Sequence, residues 1–283
     1  MKIVMALSLS FAVAQAPPPP KPGVKAAGVK IPIERLQPEA VFAVPGTPDW
    51  IAIDEDVWVS NKPKDSVARL NPKTNTAAAT IPVGKRPCSG LAAGFGSLWV
   101  PNCGDQTLSR VDLKTGAITA TIPCTIGNTE GSIAAGAGSI WIVTDKNGTL
   151  ARIDPATNTI VAEVYLAPGS YGLAYGEDAL WVTSSERNLV TRVDPHTNLI
   201  VETIAVGKTP RFIAAGGGAV WALNQGDGSV SRIDPATNTV VQQFTGKGGD
   251  AVRVGLGSVW LSNLEAGNVW RIDPRRVAAT LPQ

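Results

Sequence analysis

From about residue 40 onward the chain alternates short apolar runs with clusters of Gly, Pro, Asn and Asp, and no stretch has the spacing of an amphipathic helix. Residues 212–223 and the segment after them show the unit. Residues 212–215 are small and apolar, 219–223 carry Trp221, 230–233 are apolar, and 239–244 alternate, which predicts four strands, A to D. A glycine turn at 216–218 joins A to B. The tryptophan of the B strand recurs at Trp58, Trp99, Trp141, Trp181, Trp221 and Trp260, with spacings of 41, 42, 40, 40 and 39. A period near 40 belongs to helical solenoids or to propeller blades, and four strands per period select the second. The prediction is an all-β, six-bladed β-propeller of four-stranded antiparallel blades, with a seventh, incomplete blade as the alternative.

The turn between C and D recurs as RLNPKTNT, RVDLKTGA, RIDPATNT, RVDPHTNL, RIDPATNT and RIDPRRVA. Its residues are those of a tight hairpin: Asp or Asn caps with its side chain, Pro pre-sets φ, and Asn or Gly accepts the left-handed conformation. The small A strands, such as Leu91-Ala-Ala-Gly and Ile133-Ala-Ala-Gly, suit the crowded axis, and the Trp fills the space between blades. Residues 40–44 look like an orphan D strand placed to complete the last blade and remove an exposed edge; residues 277–281 are the competing candidate.

The ends and the composition narrow the class. Lys2, the apolar run 3–13 and the small residues Ala12, Ala14 and Ala16 read as a secretory signal over residues 1–16, cleaved after Ala14 in preference to Ala16. Residues 17–38 read as a Pro-rich linker and 39–283 as the propeller. No later run holds 18 consecutive apolar residues, so no transmembrane segment is predicted and the expected location is periplasmic or secreted. With 25 basic and 23 acidic residues interspersed, for a net charge of +2, a nucleic-acid surface is not expected.

Propeller topology places the D-to-A and B-to-C loops on one rim of the axial channel and the A-to-B and C-to-D turns on the other. Chemistry is expected on the first. A symmetric A–B hairpin pairs Pro48 with Asn61, Ser89 with Asn102, Gly131 with Thr144, Tyr171 with Ser184, Arg211 with Asn224 and Asp250 with Asn263. A polar residue therefore follows three positions after every repeat Trp. Asn61, Asn102, Asn224 and Asn263, with Asp49, Glu130, Tyr171, Arg211 and Asp250, form the candidate ligand-binding rim; turn chemistry is the competing explanation of the asparagines.

The next position sets Cys88 opposite Cys103, within disulfide reach, and Glu130 opposite Asp145. A Cys88–Cys103 bond is expected in an oxidising compartment, with Cys124 the odd thiol. The two carboxylates predict either a proton held by one of them at a raised pKa or a divalent ion, Mg²⁺ or Ca²⁺, between them, unless they splay into solvent. His196 is the sole histidine and lies in a C–D turn, on the wrong rim to act as a base.

The recurrent small-apolar-Gly, apolar-Trp-apolar and R-[IV]-D-P-x-T-N pattern, as in SLWVPN, SIWIVT and SVWLSN with RIDP, resembles the YVTN-type propeller repeats and the streptogramin B (virginiamycin B) lyase-like family over residues 40–274. The resemblance implies a propeller that, in the characterised lyases, has seven blades and opens a cyclic depsipeptide ester by elimination, using a channel-mouth His with Mg²⁺ and a nearby Glu. No position here carries that His. No catalytic residue is therefore assigned. The expected function is an exported binding module that takes a small polar ligand, a peptide or a partner protein on one rim. The alternative is a divalent-metal-assisted lyase or hydrolase using Glu130 and Asp145, with Tyr171 or Arg211 assisting an oxyanion.

Overall fold

A computed structural model describes residues 29–32, 41–43, 47–62, 65–88, 90–127, 130–246, 251–263 and 268–278. The signal segment, most of the linker, Ser89 and Asp250 lie outside the described residues, as do the side chains of Asp49 and Asn263. Six antiparallel sheets of A–B–C–D order stand around an axis, as the repeat predicts. Blade 2, for example, is built from Ala92–Gly94, Ser97–Asn102, Thr107–Asp112 and Ile118–Pro123. The innermost strand of each blade touches that of the next around the full circle, from Thr47–Ile53 in blade 1 to Ala251–Gly255 in blade 6 and back.

Closure uses the N-terminal option. Val41–Ala43 pairs antiparallel with Asn268–Ile272 as the outer strand of blade 6, whereas Pro274–Ala278 forms a short helix. One element departs from the expected linker. Val29–Pro32 joins the D strand Thr239–Thr245 in parallel, as a fifth strand of blade 5. It covers the edge of blade 5: Phe244 and Gln242 are buried, while the D strand of blade 4 exposes Leu199, Ile200 and Val201.

The repeat Trp and the repeat Arg turn out to be one device. Each Trp lies directly across the B–C ladder from the Arg of the R-[IV]-D motif, and all six guanidiniums sit over the indole at 4.8–5.8 Å. Arg110 also donates through Nη1 to the Pro155 carbonyl (2.8 Å) and Asn158 Oδ1 (3.3 Å), which belong to the C–D turn of the next blade. Arg192 makes the same two bonds to Pro235 and Asn238. The motif is thus a hairpin, with Asp154 Oδ1 accepting from Ala156 N–H at 2.8 Å, and also a lock between blades.

The glycine that ends the A strand in blades 2, 3, 4 and 6 has a packing reason. A Cβ on Gly94 would come within 2.6 Å of Ala135 Cβ on the neighbouring blade. The same glycine's carbonyl accepts the Trp99 indole N–H at 3.1 Å.

Candidate functional site

The A–B register runs as predicted through the tryptophans and then slips. Beyond Leu173↔Val182 and Phe212↔Leu223 an irregularity shifts the ladder by one residue, so Ser184 faces Ser170, and Asn224 faces Pro210. Asn102 faces Pro87 instead of Ser89, while Pro48↔Asn61 forms as expected. The bulge falls at the rim, where strand A bends out of the ladder into its loop. Cys88 and Cys103 are consequently not directly opposed: Cys88 N–H donates to the Pro101 carbonyl and Cys103 N–H to that of Arg86. The disulfide forms across this offset, with a Cα–Cα distance of 5.8 Å.

The asparagines prove to be interior clasps. Asn61, Asn102 and Asn224 are buried. Asn102 Nδ2 donates to Thr107 Oγ1 (3.1 Å) and Ser109 Oγ (2.8 Å), and Asn224 Nδ2 to Ser229 Oγ (3.0 Å) and Ser231 Oγ (2.8 Å). Gly84 and Gly207 pack so tightly on these amides that a Cβ would lie 2.5 and 2.6 Å from Nδ2. The acidic rim loops are engaged as well: Lys85 and Lys208 N–H donate to Asp105 and Asp227, and Arg86 and Thr209 N–H to Asp65 and Asn188. These paired GKRP and GKTP loops were the unread sequence signal for a locked rim.

Asp145 caps its own loop. Its Oδ1 accepts from Asn147 N–H (2.8 Å) and Thr149 N–H (3.2 Å), and Oδ2 from the Thr149 hydroxyl (2.8 Å). Those bonds, led by the Thr149 hydroxyl, hold its pKa below the ordinary carboxylate value, so Asp145 is not the carboxyl of the pair that would hold a proton. Glu130 is half-buried at the start of blade 3, next to Gly131. No group of three potential metal-ligating residues occurs among the described residues. Cys124 is a buried free thiol whose pKa burial pushes up to about 11, and His196 is exposed in its turn, as expected.

Two of the predicted rim residues do come together. Arg211 lies over the Tyr171 ring at 5.0 Å, and Tyr171 packs edge-on against Phe212 at 6.2 Å. Arg211 Nε is buried with no hydrogen-bond partner. Inward from them Trp50 and Phe212, both essentially inaccessible, meet edge-on at 4.9 Å, and Gly131 of blade 3 approaches so closely that a Cβ would lie 2.7 Å from the Trp50 ring. Aromatic side chains from blades 1 and 5 and the backbone of blade 3 therefore meet across the channel and close it at this rim. Sequence reasoning missed this plug.

The open space lies at the other end. A cavity of about 200 Å³ runs along the axis between the A strands, and its wall continues through Ile53, Tyr175 and Val254 towards the A–B turns. The residues facing the repeat Trp across each A–B ladder are Ala52, Ala92, Ala134, Ala174, Ala214 and Arg253. Five blades place a methyl group there and the sixth a guanidinium. The signal is visible in the sequence, where VRVG replaces LAAG, IAAG and LAYG.

With this geometry the chain matches solved propellers. A catalytically inactive variant of virginiamycin B lyase from Staphylococcus aureus with quinupristin is 17% identical, covers 83% of this chain and 87% of its own, and has a TM-score of 0.62. A streptogramin B lyase structure is 17% identical with 83% and 86% covered and a TM-score of 0.61. The propeller domain of Myceliophteria thermophila Cps50 (Swd1) gives 0.61 at 13% identity, over 83% and 98%. The likeness is one of fold. It agrees with the resemblance carried by the repeat motifs, and an unrelated propeller matches equally well. No family description and no curated protein matches the sequence. Among the described residues no helix is long and apolar enough to cross a membrane.

Proposed function

We propose that this chain is an exported propeller that binds a small polar ligand, or a polar segment of a peptide or partner protein, on the rim carrying Tyr171 and Arg211, without transforming it. The observation that carries the reading is the Tyr171–Arg211 stack, a half-buried guanidinium whose Nε has no partner, set on an aromatic floor. Such a pair offers a half-exposed guanidinium cation to a carboxylate or amide and a ring face beside it. The Cys88–Cys103 bond supports an oxidising compartment.

The metal-assisted lyase alternative needs Glu130 and Asp145 to share Mg²⁺ or Ca²⁺. Asp145 already satisfies three donors in its own loop, and the sole histidine lies in a C–D turn. Two measurements separate the readings. Incubation with quinupristin and Mg²⁺ is expected to leave the ring closed, and chromatographic appearance of the isomeric linear product would establish the lyase. A melting-temperature screen against amino acids, dipeptides and their amides is expected to give stabilising hits that disappear in Arg211→Ala and survive in the exposed control Arg187→Ala. Hits that survive in Arg211→Ala would remove the rim assignment.

A further inference from the structure

Arg253 breaks the ring of alanines, and its surroundings do not compensate its charge. From blade 6 it reaches across the axis. Nη1 donates to the Ile213 carbonyl of blade 5 (3.2 Å) and to the Val252 carbonyl (2.8 Å), and the guanidinium lies 5.9 Å from the Trp50 ring of blade 1. Among the described residues it forms no ion pair, in contrast to Arg69, which pairs with Asp56. Nη2 is sealed and makes no hydrogen bond, packed close to Gly90 of blade 2, where a Cβ would come within 3.4 Å of it. Nε makes no hydrogen bond among the described residues and is not sealed, and Arg253 lines the axial cavity. Burial pushes the guanidinium pKa down to about 10, with no acidic neighbour to offset it.

A buried cation with no counter-ion among the described residues favours an anion beside it. We propose that the axial cavity is a binding site for a small carboxylate, entered from the A–B rim, with the Arg253 guanidinium as its counter-ion and Nε as the donor that reaches it. The cavity, about 200 Å³, holds roughly seven waters at ~30 Å³ each. That space suits a molecule of acetate to succinate size, between walls of alanine methyls, polar strand backbone and Tyr175. The site is separate from the Tyr171–Arg211 rim, because Trp50 and Phe212 close the channel between them.

The test compares melting temperatures in sodium acetate, sodium succinate and sodium chloride at equal ionic strength, with acetamide as the neutral control. Acetate is expected to raise the wild-type midpoint by about 2–4 °C over chloride, and acetamide to leave it unchanged. A tripeptide with a free or amidated C-terminus separates a peptide source of the carboxylate from a free acid. In Arg253→Met the acetate shift should vanish, and in acetate-free buffer this variant should melt at or above wild type, where a purely structural arginine would lower the midpoint. Arg211→Ala should retain the acetate shift, so this proposal and the rim reading fail separately. Equal midpoints in acetate and chloride, or a shift that persists in Arg253→Met, would overturn the site. If the Met variant does not fold, bromide soaked into wild-type crystals decides: an anomalous peak beside Nε supports the proposal and an empty channel refutes it.

Discussion

Arginine plays two parts in this ring. At the periphery Arg110, Arg152 and Arg271 repeat one environment: an indole beneath, a serine hydroxyl accepting from Nε at 2.8–3.0 Å, and, for Arg110, the next blade's turn accepting from Nη1. At the axis Arg253 has an indole beneath but only two carbonyls for its donors. The same side chain is scaffold where its donors are matched and a candidate for recognition where they are left over. In a repeat protein, the residue that departs from its equivalents in the other blades therefore carries more functional information than the residue that recurs.

That contrast can be broken from the scaffold side first. Trp181→Ala empties the base of one peripheral stack, a side chain with no exposure, and should destabilise by about 3–5 kcal/mol in urea unfolding. Reducing the Cys88–Cys103 bond removes a feature of blade 2 alone; its 15-residue span predicts a loss of about 3 kcal/mol, read as a lower urea midpoint with reductant. Arg110→Met takes away the inter-blade bonds and strands Ser97 and the Pro155 carbonyl, for a loss of about 1–3 kcal/mol. Arg253→Met should show no such loss, and an equal loss at both sites would erase the distinction.

The smallest effect sharpens the comparison by repair. In blade 5 Ala219 occupies the position of Ser97, Ser139 and Ser258, and Arg232 Nε is buried without a partner. Ala219→Ser should restore the acceptor and stabilise by about 1 kcal/mol. No gain would mean that the serine hydroxyl is incidental to the peripheral stack.

Much of this was legible along the chain. The 40-residue period gave the blade number, the C–D motif its hairpin, and residues 40–44 one of two candidate closing strands, because each depends on local turn chemistry or on the need to cover a sheet edge. The rim was read less well. A symmetric hairpin was extended past the bulges, so Asn102 and Asn224 were placed facing a ligand when they point into their own blades. Val29–Pro32 escaped because four residues among prolines carry no pattern of their own and gain strand geometry only from the edge they meet.

Sequence by itself settled what every blade shares, since a unit repeated six times must fold by interactions short enough to recur within it. Tertiary structure decided what the ring encloses. Trp50 of blade 1 meets Phe212 and Arg253 of blades 5 and 6 only when the circle closes, so whether they plug, line or charge the channel is written in no single repeat.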